Sequence, residues 1–301
     1  MSVLPRFEHH APTTLDEALE LKASLGQHVW VLAGGTEIIP KLRAGRPAPD
    51  HLISINGIED LRPVTFGLEG ETDEPGLSIG GGARVRDVAD HPAVRERYPA
   101  LLAACTQMAT VQIRNMATVA GNLVNGSPCA DTAGPLLAND ARLTLAAKGG
   151  GRVVALKDFF TGPGQVDLQE GEILVRIGLP VPPARCGEAF LRLSARSKVD
   201  IAAASATARL VLAEDGRIEE ARVVIGAVAP TPLRCRDAEA SLVGEVPGDE
   251  AFREAARLAR DAARPIDDVR ATAAYRKAVV PVLVRRTLEK ALERARAGGA
   301  A

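Results

Sequence analysis

The feature that most constrains this chain is a turn-rich segment at residues 111–140, VQIRNMATVAGNLVNGSPCADTAGPLLAND. Glycine, asparagine, serine, proline and threonine are frequent in it, and these residues favour defined turns over regular helix or strand. A second glycine turn occurs in VLAGGTEII at residues 31–39, between a strand pattern and a short helix pattern. Backbone N–H groups at such junctions suit a diphosphate. A double glycine alone is equally compatible with a purely structural turn, but two such turns predict a shared, extended ligand.

The other patterns of the first half indicate alternating helices and strands. Thr14, with Glu17 three residues later, predicts a capped helix that Gly26 ends. Further strand patterns lie at residues 28–33, 51–55 and 77–80, a helix pattern at 101–108, and a hairpin pattern at 141–147 and 152–160.

A proline-rich stretch, PVPPA at residues 180–184, is the predicted linker, because proline continues neither a helix nor an inner strand. We therefore expect a first domain at residues 1–179 and a smaller α+β domain at 185–295. The second domain has strand patterns at 189–197, 201–212 and 221–230, and amphipathic helix patterns at 247–265 and 270–298.

Composition narrows the class of protein. A net charge of −1, with acids and bases interspersed, argues against a nucleic-acid partner. The chain lacks a run of about 18 apolar residues, and its start lacks a basic region followed by an apolar run, so we expect no membrane insertion and a cytoplasmic location. The four cysteines have no CxxC spacing and the five histidines form no local metal motif, so we expect no protein-bound metal.

Few residues suggest catalysis in this chain. We find no GxSxG elbow and no general base beside either glycine turn, so we expect no catalytic residue here. We interpret Asp267 and Asp268 as residues at the start of a helix, where an acidic side chain can cap the helix and interact favourably with the helix dipole. Trp30 lies in a strand pattern and is expected to pack in the core rather than stack on a ligand.

Both glycine segments resemble the flavin-binding motifs of the molybdenum hydroxylase family, namely the carbon monoxide dehydrogenase medium subunit and the corresponding xanthine dehydrogenase domain. QIRNMATVAGNLVNGSPCADTAGPLLANDA is similar to the flavin signature, and VLAGGTEIIPKLRAG to the first flavin motif. The resemblance continues through FEHHAPTTLDEAL, GGGARVRDVADHPAV, KVDIAAASATARL and PIDDVRATAAYRKAVVPVLVRRTLEKAL. Nearly the whole chain is therefore covered in order.

This resemblance implies an α+β chain with a two-part FAD-binding domain of the vanillyl-alcohol-oxidase (PCMH) type, in lobes at about 1–58 and 59–179. A smaller domain with a three-stranded sheet and helices follows. FAD would lie between the parts. The residues implied to hold it are Ala33, Gly34, Gly35, Thr36 and Glu37 at the diphosphate, Thr118, Val119, Ala120, Gly121 and Asn122 at the flavin and diphosphate, Asp131 at the ribose or adenine, Ser127 in the pocket loop, and Lys198 from the second domain.

The resemblance also implies a role within a complex. The chain would pass electrons from the [2Fe–2S] clusters of a small partner through FAD to an outside acceptor, with the molybdopterin cofactor in a large partner and a dimer of heterotrimers as the assembly. NAD, quinone and oxygen all remain open as acceptors, and the organic substrate stays open. Two other hypotheses are a self-contained FAD oxidase or dehydrogenase, for which the second domain is short, and a flavin-free scaffold, against which the intact glycine motifs argue.

Overall fold

The computed structural model of the chain describes residues 4–67, 76–197 and 199–298. The first lobe contains a parallel sheet with the strand order β1-β3-β2. Its elements are β1 Glu8–His10, α1 Leu15–Ser24, β2 Val29–Leu32, α2 Ile38–Arg43 and β3 His51–Ser54, followed by short 3-10 turns at Ile55–Gly57 and Glu59–Leu61. The predicted capping box is confirmed, since Thr14 Oγ1 accepts from the Glu17 N–H at 3.2 Å and the Glu17 carboxylate accepts from the Thr14 N–H.

The second lobe is an antiparallel sheet covered by short helices. Its five strands have the order β4-β5-β10-β6-β7. These strands are β4 Val64–Gly67, β5 Gly76–Gly80, β6 Arg142–Ala147, β7 Gly150–Ala155 and β10 Ile173–Leu179, with a small separate hairpin of β8 Phe160–Gly162 and β9 Gln165–Val166. The helices are α3 Val85–Asp90, α4 Pro92–Arg97, α5 Pro99–Gln107, α6 Val111–Arg114, α7 Val119–Val124, α8 Ala133–Ala138 and α9 Leu156–Phe159.

The C-terminal part is a second antiparallel sheet with helices packed on it. Its strands are β11 Cys186–Leu193, β12 Ala204–Leu212, β13 Ile218–Gly226 and β14 Leu233–Arg234, and its helices are α10 Arg236–Ala240, α11 Asp249–Ala262 and α12 Ala273–Gly298. The three expected strands are present, and the two-residue β14 adds a fourth at the edge beside β13. No helix within the described ranges is both long and apolar enough to cross a membrane.

Strand β12 explains how the two parts of the chain are held together. Ala204, Ala206 and Ala208 point into the core beneath α11 and α12. The intervening Thr207 lies on the other face, so close to α8 that a Cβ on Gly134 would meet Thr207 Oγ1 at 2.5 Å. Because side chains alternate along a strand, β12 contacts its own helices on one face and the second lobe on the other.

A buried carboxylate reinforces this contact. Glu188 of β11 is 2% exposed and accepts hydrogen bonds from the Ala100 N–H at 2.9 Å and from Asn139 Nδ2 at 2.5 Å. Ala100 lies in the first turn of α5, so Glu188 satisfies an N–H group that has no partner within that helix. Burial raises the pKa of the Glu188 carboxyl above its ordinary value.

Candidate flavin site

The two glycine turns face one cavity. Its volume is about 650 Å³, within the range of cofactor pockets, and we call it the main cavity. Residues of the first lobe, the second lobe and the C-terminal part all line it. An extended ligand bound here would therefore contact segments that are far apart in the sequence.

Gly34 allows the first glycine turn to pack closely against the second. A Cβ at Gly34 would lie 2.0 Å from the Met116 carbonyl oxygen and 2.7 Å from the Ala117 Cα, which no side chain permits. The next residue, Gly35, has a φ of 68°, which L side chains rarely adopt. Backbone therefore packs on backbone where the two predicted motifs meet.

Lys41 adds a polar link between the same two segments. Its Nζ donates to Asn125 Oδ1 at 2.7 Å and lies 3.5 Å from Glu37 Oε1. All three residues line the main cavity. Lys22 lines it as well, and burial lowers the pKa of its ammonium group. The cavity wall thus carries cationic groups of the kind that complement an anionic ligand such as a diphosphate.

The second turn is ordered by side-chain caps. Thr118 begins α7, and its Oγ1 accepts from the Gly121 N–H at 3.0 Å. A Cβ on Gly121 would lie only 2.8 Å from that oxygen. Asn122, on the same short helix, accepts from Thr132 Oγ1 at 2.6 Å and thereby ties α7 to the segment that follows Asp131.

Asp131 is the most unusual group in the cavity wall. It is 7% exposed, and its Oδ2 lies 3.2 Å from an Arg192 guanidinium nitrogen of β11. Its Oδ1 is buried without a hydrogen-bond partner among the residues that the structure describes. Burial raises the pKa of Asp131 to about 6, although the Arg192 charge acts to lower it. A buried carboxylate oxygen with unused acceptor capacity suits a ligand hydroxyl group.

The structure places most of the predicted binding residues at this cavity. Those in its lining are Ala33, Gly34, Gly35, Thr36, Glu37, Thr118, Gly121, Asn122, Ser127 and Asp131. Val119 and Ala120 are not in the lining, because their side chains point into the core of the second lobe. Lys198 lies outside the described residues, and its contact with a cofactor stays a prediction.

Sequence reasoning missed several lining residues. Arg192, Asp200 and Lys41 all line the cavity. Lys41 and Asp200 lie within segments that carry the family resemblance but were not among the predicted binding residues, and Arg192 lies outside those segments. The expectation that Trp30 packs in the core was wrong, since its side chain is half-buried and lines the cavity from β2, an edge strand of its sheet. The one signal in the sequence was that Trp30 lies in the strand pattern directly before the first glycine turn.

Both acids before the last helix have structural roles, but only Asp267 caps the helix as predicted. Asp267 Oδ1 accepts from the Ala273 N–H at 2.6 Å, at the start of α12. Asp268 forms an ion pair at 2.6 Å with Arg276, which is 2% exposed. The same guanidinium donates to the carbonyl oxygens of Ala203 at 2.7 Å and Ala227 at 2.9 Å. Arg276 therefore holds together three segments of the C-terminal part.

Comparison with known proteins identifies the family. Residues 5–182 match the model of the FAD binding domain in molybdopterin dehydrogenase, and residues 189–291 match that of the CO dehydrogenase flavoprotein C-terminal domain. The chain belongs to this molybdopterin dehydrogenase flavoprotein family. It is accordingly an oxidoreductase component with FAD as its cofactor.

Several curated members of the flavoprotein family are similar over most of their length. The carbon monoxide dehydrogenase medium chain of Hydrogenophaga pseudoflava is 33% identical over 96% of this chain and 98% of the relative. The putative xanthine dehydrogenase FAD-binding subunit of Escherichia coli K12 is 36% identical over 77% of each chain.

Solved structures of the family agree in fold. Carbon monoxide dehydrogenase from Hydrogenophaga pseudoflava matches with a TM-score of 0.91 and 33% identity, over 97% of this chain and 99% of the other. Quinoline 2-oxidoreductase from Pseudomonas putida 86 matches with a TM-score of 0.88 and 27% identity, over the same shares. The expected fold class is thus confirmed.

Proposed function

We propose that this chain is the FAD-binding electron-transfer subunit of a molybdopterin-dependent hydroxylase or dehydrogenase. It would receive electrons from [2Fe–2S] clusters of a partner subunit and pass them on to an external acceptor. The observation that carries the proposal is the single cavity that both glycine turns share, with the acceptor oxygen of Asp131 buried in its wall. Family membership supports the same assignment.

The proposed roles of the residues follow from their positions. The backbone of residues 33–37 would bind the diphosphate, with Lys41 supplying positive charge nearby. Thr118, Gly121 and Asn122 would line the opposite wall, and Val119 and Ala120 could act there only through their backbone. Asp131 would accept a hydrogen bond from a ribose hydroxyl, with Ser127 shaping the adjoining loop.

The protein's own contribution would be to position the cofactor. FAD supplies the exchange of electrons, and the protein contributes orientation, hydrogen bonds and the surrounding charge. Histidine does not occur in the cavity lining that the structure describes. That the chain carries no catalytic residue of its own stays a prediction.

We further propose two partners, a large molybdopterin-binding subunit and a small [2Fe–2S] subunit, assembled as a dimer of heterotrimers. Exposed apolar side chains at the cavity support a docking surface for a partner. Ile113, Val199 and Ile201 line the cavity and are 36%, 54% and 48% exposed, and Val111 and Met116 on the segment of Ile113 are 55% and 57% exposed. Contiguous exposed apolar surface marks interaction sites. A cytoplasmic location stays a prediction.

The domain division is also a proposal. We assign residues 1–179 to the FAD-binding domain, with lobes at about 1–58 and 59–179, and residues 185–295 to the second domain. Three of the four apolar clusters of the described residues support it: one around α1 and β3, one beneath the five-stranded sheet, and one between β12, β13, α11 and α12. The fourth, Ala100, Ala104 and Phe190, joins α5 to β11 across the proposed boundary.

The flavin site is tested by cofactor retention. The purified chain is mixed with FAD, freed of excess, and examined by its visible spectrum, with the cofactor identified by chromatography after denaturation. We expect about one FAD per chain and loss of retention in Gly121→Val, where the added side chain would meet Thr118. Gly178→Val is the matched control, because the nearest atom to its Cβ is 3.9 Å away in a strand outside the cavity lining.

Electron transfer is tested in the assembled complex. Reductant that enters at the molybdenum subunit should bleach the visible flavin band when this chain is loaded with FAD. If the chain binds FAD but the flavin band does not bleach, the electron-transfer role is overturned while the assignment of the flavin site stands. Absence of retained FAD even with both partners present would overturn the proposal as a whole and favour a scaffold of the same fold.

A further inference from the structure

Two strands of the first lobe bring together three side chains that could bind a metal ion. Strands β1 and β3 are parallel, and Glu8 is paired directly with His51. His10 is two residues beyond Glu8 on β1, so its side chain lies on the same face of the sheet. Glu8, His10 and His51 thus share one face, and we call them the His–Glu cluster.

Two of the three donor–donor distances within the His–Glu cluster are close to those of a coordination shell. His10 Nε2 lies 3.1 Å from His51 Nδ1, and the same His51 atom lies 3.4 Å from Glu8 Oε2. All three donor atoms lie within 4.8 Å of one another. Around a zinc ion with bonds of about 2.0–2.1 Å, tetrahedral ligands are about 3.3 Å apart. One ion could therefore contact all three after small side-chain movements.

The chemistry of the donors selects a class of ion. Two imidazole nitrogens and one carboxylate suit zinc and neighbouring divalent transition metals, whereas calcium and magnesium prefer oxygen ligands alone. The Glu8 side chain is 67% exposed and that of His51 is 23% exposed, so the donors are open to solvent on one side. This leaves room for water as a fourth ligand.

We propose that Glu8, His10 and His51 form a binding site for one divalent transition metal ion. The site is separate from flavin chemistry, since the lining of the main cavity includes none of the three. It has a structural role, because an ion there would join the three-residue strand β1 to the inner strand β3. The rival explanation is a histidine–histidine hydrogen bond beside a surface ion pair, without metal.

The test is a calorimetric titration of the chelator-treated full chain with zinc chloride. We expect one zinc per chain, at least tenfold weaker binding in His51→Ala and in Glu8→Gln, and a rise in the unfolding temperature of the parent chain with zinc. His9→Ala is the matched control. His9 is the exposed neighbour between the two β1 ligands, and its side chain lies on the other face.

The variants separate the two explanations. Glu8→Gln alters an exposed side chain without changing its size, so it tests the site even if His51→Ala fails to fold. Absence of saturable binding up to millimolar zinc would overturn the proposal. So would zinc binding that is equally strong in the parent, His51→Ala and Glu8→Gln, because the ion would then bind elsewhere, for example at the cysteines.

Discussion

The buried carboxyl of Asp131 makes the affinity for FAD depend on pH. Burial raises its pKa to about 6 in the flavin-free chain. A ribose hydroxyl that donates to Oδ1 would stabilise the ionised carboxylate and lower that pKa on binding. The cofactor should therefore bind the ionised form, and its affinity should rise as the pH rises through 6.

The magnitude follows from the fraction of ionised carboxyl. With a pKa of about 6, roughly one Asp131 in ten is ionised at pH 5 and roughly nine in ten at pH 7. FAD should therefore bind about tenfold more weakly at pH 5 than on the plateau above pH 7, a difference of about 1.4 kcal/mol. In Asp131→Asn the group cannot ionise, so the affinity should be lower at pH 7 and flat between pH 5 and 7.

The assay is a titration of the flavin-free chain with FAD, followed by flavin fluorescence at constant ionic strength between pH 5 and 8. Circular dichroism at each pH shows whether the chain stays folded. Asp158→Asn, a change of an exposed acid in α9, is the control and should keep the parent's pH dependence. The reasoning would be refuted if the FAD affinity of the parent chain did not change with pH. It would also be refuted if Asp131→Asn kept the full pH-dependent change of the parent.

Three further substitutions test packing at the cavity, between the two parts of the chain, and within the C-terminal part. Gly34→Ala should abolish FAD retention and cost at least about 1–3 kcal/mol of stability, because the new Cβ would meet the Met116 carbonyl at 2.0 Å. Gly248→Ala, whose nearest atom would be 4.0 Å away, should retain flavin like the parent. Glu188→Ala should lower the free energy of unfolding in urea by about 2–3 kcal/mol, since two buried donors lose their acceptor, and a loss below about 0.5 kcal/mol would count against that contact. Arg276→Met should cost about 3 kcal/mol or more in the same measurement, and unchanged stability would contradict its role in joining three segments.

Elements that depend on near neighbours were predictable. The capping box of Thr14 and Glu17 needs contacts across only three residues, and α1 begins where that pattern places it. The strand before the first glycine turn and the short helix after it also occur where local patterns indicated, as β2 and α2. Alternation and helical periodicity are properties of the chain itself, and so they can be recognised in the sequence.

Groups whose properties depend on distant neighbours were not predictable in the same way. Asp131 was a candidate from its motif, but its raised pKa arises from burial by distant segments, which outweighs the charge of the Arg192 that β11 places beside it. Val119 belongs to the same motif, yet the packing of α7 turns its side chain into the core. Only the assembled lobes decide which side of a short helix faces the cavity.

The two histidines of the His–Glu cluster also could not be paired from the sequence. His10 and His51 are 41 residues apart, so no local spacing rule could pair them, and only the parallel register of β1 and β3 brings their rings together. By itself the sequence determined the order of the elements, the two glycine turns and the family that they indicate, because each of these depends on residues that are neighbours in the chain. The tertiary structure alone decided burial, charge pairing and the meeting of remote side chains, because those depend on which surfaces exclude water from one another.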